Sequence, residues 1–394
     1  MPKAINKQNN NPLSQRIDKL TKRVFRYNKY PDYIIICLNI KVPALLMDTR
    51  SFTIALKEEA RRLGFDLVGA TPAVRPPDIE HFERWLAAGL AGEMRYLAER
   101  LEAYRDPGRI LPGAKSILML GVNYRTDDPA TAGAGQGRVS RYAWGNDYHD
   151  VIHKQLEKLA EFHRRLVPHC LVRGVVDTAP LLERGFAQQA GLGWIGKNTL
   201  LINQHYGSWL FLAALLTTAQ LNYDEPTRTN HCGSCRACLD ACPTGALVAP
   251  NLLDARKCIS YLTIESRSEF PSVLREACGD WLFGCDACQE VCPWNRRAPK
   301  SREKSYEPRP GMNPVDLAGL FALDEAAFRS RFRDTPLWRA KLARLLRNAA
   351  VALGIQTDEN ALQALEQGLL NPDPVVQEAC NWAVKKISHQ RDSN

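Results

Sequence analysis

The sequence predicts a layered α/β domain, then a cysteine-rich metal-binding module, then an all-helical tail. Three observations carry this reading. Amphipathic helical stretches alternate with short apolar strands over residues 47–225. Nine of the twelve cysteines fall between positions 232 and 292. Beyond residue 301 the apolar spacing is helical.

Taken in order, the first 46 residues hold nine Lys/Arg against two Asp, which supplies +7 of the net charge of +9. This run reads as a basic arm or as a dispensable extension, with a conventional domain opening, and the expected start, at Met47. The run 33–46 is too short for a membrane span and contains Lys41, and no signal-cleavage pattern follows it, so a cytoplasmic protein is expected. Residues 51–70 read as an amphipathic helix closed by Gly64 and followed by a strand, with Phe52, Leu56, Ala60 and Leu63 at helical spacing. Residues 115–124 and 208–218 are buried-strand patterns, 147–166 is helical, 171–177 strand-like, and 126–138 a Gly-rich loop. Residues 226–300 are too poor in periodic apolar residues to make a core of their own. In the tail, 346–354, 359–370 and 373–387 read as short antiparallel helices resembling about two HEAT-type repeats, fewer than stand alone, so the tail is expected to dock on the rest.

The cysteines decide the chemistry. Cys232, Cys235, Cys238 and Cys242-Pro243 follow C-x2-C-x2-C-x3-C-P. In proteins with two 4Fe-4S clusters the fourth cysteine of that run ligates the other cluster, because the chain turns away after three closely spaced thiolates. A second run, Cys285, Cys288 and Cys292-Pro293, keeps the last three positions, but Leu282 stands where its first cysteine belongs. One cluster is therefore assigned Cys232, Cys235, Cys238 and Cys292; the other takes Cys242, Cys285, Cys288 and either Cys258 or Cys278. Four-sulfur zinc sites are the alternative, although they do not usually interleave two such runs. Cys37, Cys170 and Cys380 stand in apolar surroundings and are read as small buried residues.

The stretch GLGWIG (191–196) matches G-x-G-x-x-G, but a helix-like segment precedes it and a strand-like one follows, the reverse of a dinucleotide site. No acidic residue stands at the expected distance either. Its glycines are read as a tight loop against a flat ligand.

SRYAWGNDYH (140–149), VDTAPLLER (176–184), AGLGWIGKNTLLI (190–202), the cysteine runs and RKCISYLTIE (256–265) together resemble the epoxyqueuosine reductases. The likeness runs from about residue 50 to 390, departing at the basic extension and in the 126–138 loop. It implies an α+β layered, nitroreductase-like cobalamin domain (47–225), a ferredoxin-like module with two 4Fe-4S clusters (226–300) and a HEAT-like, tRNA-binding tail (301–394). It implies reduction of epoxyqueuosine to queuosine at the wobble position of tRNA, the last step of queuosine biosynthesis, with a flavodoxin- or ferredoxin-like electron donor and a monomeric enzyme. It also implies Cys258 rather than Cys278 as the remaining ligand, Asp177 as proton donor, and Ser140, Asp177, Lys197 and Asn198 as cobalamin contacts.

Chemistry supports an acid at Asp177: an epoxide oxygen leaves badly unless protonated, and a carboxyl in apolar surroundings gains a raised pKa. Val175, Val176, Ala179 and Pro180 suggest such surroundings, although capping of the following segment is an equally ordinary use of an aspartate. For RNA, residues 327–348 hold seven Arg/Lys and one Asp, and Lys341, Arg344 and Arg347 recur at a spacing that places them on one helix face. A solvated charged face is the commoner meaning of such a run. Arg184 is a further expected tRNA contact. The competing functions are a corrinoid iron–sulfur reductase acting on a small molecule, and a non-enzymatic electron-transfer module.

Overall fold

The computed structural model describes residues 48–393; the basic extension and Cys37 lie outside the described residues. Helix α1 (Thr49–Arg62) begins where Asp48 accepts from the backbone N–H groups of Arg50 and Ser51, both at 2.9 Å. It ends at Gly64, whose φ of +101° turns the chain into strand β1 (Leu67–Pro72). With β2 (Ser116–Asn123), β4 (Val172–Val175) and β5 (Leu210–Thr217) this forms a four-stranded sheet of order β1-β2-β5-β4.

All three strand pairings are antiparallel, so the fold is mixed α/β without the parallel crossovers that helix–strand alternation suggests. Every residue of β2 is buried because both sheet faces are covered. Leu118 and Leu120 pack under α1 and α2 (Tyr148–Leu166), and Ile117 and Met119 under α3 (Glu183–Gln189). A strand covered on both faces reads as an unbroken apolar run whatever its direction, so the sequence pattern leaves strand orientation open.

Within the expected 126–138 loop, Gln136–Val139 is strand β3. It pairs with β6 (Trp281–Phe283) on one side and β7 (Val315–Asp316) on the other. Its partners lie more than 140 residues away, which is why its local sequence reads as loop. This ladder joins the α/β domain to the cysteine module and the tail. A single core runs from Val139 and Trp144 through Ile259, Trp281 and Phe283 to Leu345, Leu353, Ala379 and Ile387.

The tail contains α8 (Lys341–Gln356), α9 (Leu362–Leu369) and α10 (Pro374–Ser393), preceded by α4 (Ala237–Asp240), α5 (Ile259–Ile264) and α6 (Ala287–Glu290) in the cysteine module and α7 (Glu325–Phe332). A Cβ at Gly354 would stand 2.9 Å from the Ala383 Cα, so α8 and α10 cross closely. Cys380 is fully buried, as its apolar surroundings suggested. Among the described residues no helix is long and apolar enough to cross a membrane.

Candidate active site and cysteine cavities

Strand β4 carries the chain to Asp177, held at φ +55°, a left-handed conformation that aspartate tolerates better than most residues. The backbone N–H of Asp177 donates to Glu183 Oε1 at 2.8 Å, which fixes the turn against the first residue of α3. Across from it, α2 begins at its cap Asp147 and presents Tyr148 and His149. Asp177 Oδ2 accepts from the Tyr148 hydroxyl at 2.9 Å and lies 3.0 Å from His149 Nε2. His149 Nδ1 lies 2.7 Å from Asp147 Oδ1, and Arg339 reaches Asp147 Oδ2 at 3.3 Å. The result is a chain Arg339–Asp147–His149–Asp177 whose last member has a side chain 57% exposed.

Asp177 is walled by protein yet open to solvent, as the head group of a cleft is. Burial pushes its pKa up, but the hydrogen bonds from His149 and Tyr148 and the charge on His149 outweigh that and hold it below the usual carboxylate value. The expected raised pKa at Asp177 is therefore corrected: Val175 and Val176 are buried behind it, but what faces its carboxylate is polar. Burial depresses His149, yet Asp147 and Asp177 on its two nitrogens raise it above the ordinary imidazole value. The carboxyl that burial does raise is Glu183, pushed up to about 8 with help from the negative charge of Asp177. Sequence reasoning did not single out Tyr148, His149 or Glu183, although all three lie inside the quoted motifs NDYH and APLLER.

The cysteines fall into two sets. Cys232, Cys235, Cys238 and Cys292 line a cavity of about 250 Å³ with Lys197, Asn198, His231 and Trp294. After burial, the charges that act on Cys238 are those of Cys232, Cys292 and Cys235. In the second set Cys258 feels Cys242, Cys285 feels Cys258 and Cys242, and Cys288 feels Cys285 and Cys258. Cys278 neighbours Cys258 and the guanidinium of Arg347, and it stands 2% exposed within the tail-facing core. Spacing leaves the last place in the second set open between Cys258 and Cys278, and it is Cys258 that neighbours Cys242, Cys285 and Cys288. Cys258 is the N-cap residue of α5; burial raises its thiol pKa, and the nearby backbone of Tyr261 and Ser260 offsets part of that. Cys288 also feels Cys238, so the two sets adjoin. Among the described residues no three His, Cys, Asp or Glu side chains converge as one bound ion requires.

The remaining expected residues meet varied fates. Ser140 is 2% exposed and its hydroxyl donates to Asp286 at 2.5 Å, so it braces the Cys285–Cys288 loop and its side chain is closed to a cofactor in the cleft. Lys197 donates to the carbonyls of Gly233 and Cys235, at 2.7 and 2.8 Å, and Asn198 stands in the wall of the first sulfur cavity. Both thus face the first cysteine set. The GLGWIG glycines answer to the protein's own backbone rather than to a flat ligand. A Cβ at Gly193 would lie 2.1 Å from the carbonyl oxygen of Ile202, and one at Gly191 2.8 Å from that of Glu225.

Arg184 is exposed beside the cleft, its guanidinium donating to the Thr199 carbonyl at 2.7 Å. The expected basic stripe on α8 is not one face. Lys341 is exposed over Trp338, whereas Arg344 is half-buried and donates to the carbonyls of Ala340 and Ile264. Arg347 is 1% exposed, donating to the carbonyls of Leu262, Ser266 and Ser268. Spacing of three advances 300° around a helix, and the tail packs so deeply that this rotation carries the side chains from solvent into the core.

Comparison with known proteins places these features together. Residues 231–295 match the 4Fe-4S double cluster binding domain family, and residues 105–178 match the family described as epoxyqueuosine reductase QueG, DUF1730. An epoxyqueuosine reductase of Pseudomonas aeruginosa is 42% identical over 337 residues, covering 84% of this chain and 93% of that one. That of Escherichia coli is 37% identical over 355 residues, covering 88% and 92%. A crystal structure of epoxyqueuosine reductase with an epoxyqueuosine-modified tRNA-Tyr stem loop superposes with a TM-score of 0.79 at 33% identity, covering 85% of this chain and 89% of that one. The Bacillus subtilis enzyme, described with its catalytic aspartate loop swung out of the active site, superposes with a TM-score of 0.78 at 32% identity, covering 85% and 90%.

Proposed function

The chain belongs to the epoxyqueuosine reductase family of oxidoreductases, and from that premise we propose that it reduces epoxyqueuosine in a tRNA anticodon to queuosine, the last step of that synthesis. The observation that carries the reading is the pairing of Asp177 with His149 at an open cleft, in one molecule with two adjoining sets of four cysteines. Both carbon–oxygen bonds of the epoxide break, a carbon–carbon double bond forms, and the oxygen leaves as water. The reaction consumes two electrons and two protons.

Two 4Fe-4S clusters on the cysteine sets and a cobalamin in the cleft, as the family resemblance implies, would supply single electrons and a strongly reducing cobalt centre. The groups around Asp177 are of the kind that would meet the amide fringe of a corrin ring. Tyr148, Glu183 and Arg184 border the exposed Asp177 carboxylate, and Tyr96 and Tyr104 lie near enough to feel its charge. Of the expected cobalamin contacts, Asp177 keeps an open approach.

The protein's own part is proton supply. Asp177 alone is held ionised, so the proton belongs to the Asp177–His149 pair. His149, whose protonated form is favoured by carboxylates on both sides, passes a proton from Nε2 to Asp177 Oδ2 as the Asp177 carboxyl delivers one to the departing oxygen, and solvent supplies the second proton of the water released. Asp147 and Arg339 fix the imidazole, and Tyr148, stacked 4.2 Å from Phe211, fixes the carboxylate. Glu183 locks the Asp177 turn through the backbone. For the tRNA, Lys341 and Arg184 are the proposed phosphate contacts that are exposed; Arg344 and Arg347 are structural. The electron donor is proposed to be a small flavodoxin- or ferredoxin-like protein.

Anaerobic turnover tests the reading. Protein reconstituted with iron, sulfide and cobalamin receives a strong reductant and epoxyqueuosine-containing tRNA, and the digested nucleosides are weighed by mass spectrometry. Loss of one oxygen that requires cobalamin is expected. An unchanged nucleoside from fully loaded protein would shift the assignment to reduction of a small molecule.

A further inference from the structure

Two buried donors on one short segment find no acceptor in the protein. Asn198 is 4% exposed and its Nδ2 is unpaired; Trp194 is 1% exposed and its Nε1 is likewise unpaired. Leaving such a donor unmet costs roughly 1–3 kcal/mol, so it marks a place where something other than the polypeptide accepts. The Asn198 amide has its orientation set, because Oδ1 accepts from the Leu200 N–H at 3.3 Å, which leaves Nδ2 as the free arm. Asn198 lines the cavity of Cys232, Cys235, Cys238 and Cys292. Trp194 packs in one apolar cluster with Cys232 and Cys292, its ring 5.1 Å from that of Trp294. Between them, Lys197 ties this segment to the loop carrying Cys235. The acceptors such a cavity would hold are thiolate and sulfide sulfurs.

We propose that Asn198 Nδ2, with Trp194 Nε1 as a second donor, hydrogen-bonds to sulfur of the cluster held by Cys232, Cys235, Cys238 and Cys292 and raises its reduction potential. The inference rests on the iron–sulfur reading of this set. Reduction adds negative charge to the sulfurs, and an N–H aimed at them stabilises the reduced form more than the oxidised one. The segment 194–198 thereby sets how readily this cluster accepts an electron, and the second cluster is left untouched.

The test is an EPR-monitored redox titration of the full chain, reconstituted anaerobically with iron and sulfide, for the wild type, Asn198→Leu and Trp194→Phe. Each variant removes one donor group while keeping apolar bulk. With eight irons retained, the midpoint of one cluster is expected to move to lower potential in each variant while the other stays in place. Unmoved midpoints with full iron overturn the proposal. A wild type that takes up fewer than two clusters overturns the reading beneath it, and the iron count distinguishes the two failures. A wild-type measurement covers an Asn198→Leu protein that fails to hold iron. With asparagine side chains labelled with ¹⁵N, pulsed EPR of the reduced cluster should show a nitrogen coupling, and its absence overturns the role of Asn198.

Discussion

Replacing Arg347 by leucine separates a structural arginine from an RNA-binding one. The guanidinium donates to three main-chain carbonyls, those of Leu262, Ser266 and Ser268, and to Asn348 Oδ1 at 2.8 and 3.0 Å. These bonds join α8 to the segment that follows Cys258 and α5. Burial, helped by the positive charge of Arg344, lowers the guanidinium to about 10. Each hydrogen bond from a charged donor contributes about 1.5–3 kcal/mol, and the Arg347→Leu protein leaves all three carbonyls without that partner. The relieved burial of a charge and the apolar bulk of leucine offset part of the loss, which leaves a net destabilisation of about 3–5 kcal/mol. For a chain of this size that lowers the melting temperature by roughly 4–6 °C. Circular dichroism during heating reads it, and tRNA binding across a salt series provides the contrast. Because a 1%-exposed side chain cannot reach a phosphate, the salt slope should match the wild type. An unchanged melting temperature with a slope shallower by about one would refute the reasoning and return Arg347 to the RNA interface.

Three other outcomes are expected. Cys258→Ser should lose half of the reconstituted iron while Cys278→Ser keeps it, because Cys258 and not Cys278 neighbours Cys242, Cys285 and Cys288; iron analysis reporting the reverse would exchange their roles. The turnover rate should fall as pH rises through the raised pKa of His149, because above it the pair holds no proton; His149→Gln should move that fall to lower pH, and coinciding rate profiles would exclude His149 from proton supply. Lys341→Ala should weaken tRNA binding a few-fold with no change in melting temperature, since Lys341 is exposed; a lowered melting temperature at unaltered affinity would place it with Arg347.

Much of this protein is readable in its sequence because much of it is local. Helices α1, α2 and α3 and strands β2 and β5 follow from apolar spacing within single segments. The division of the cysteines is a matter of reach: three thiolates a few residues apart share one cavity, and the fourth turns away, so Leu282 in place of a cysteine already calls for a ligand from elsewhere in the chain. The family motifs, too, lie in unbroken stretches, and they brought Asp177 into view. What depends on distant partners had to await the tertiary structure. Strand β3 exists because β6 and β7 flank it, and the antiparallel order of the central sheet is invisible in strands buried on both faces. The charge of Asp177 is set by His149, 28 positions earlier, whose ring outweighs the apolar neighbours along the chain. Ser140, Asn198 and Arg347 were recognisable as polar residues, but a residue's own sequence neighbourhood does not say whether a polar group meets solvent, a carbonyl or a sulfur. Packing decides that, because burial and hydrogen-bond partners are properties of the space that the folded chain creates.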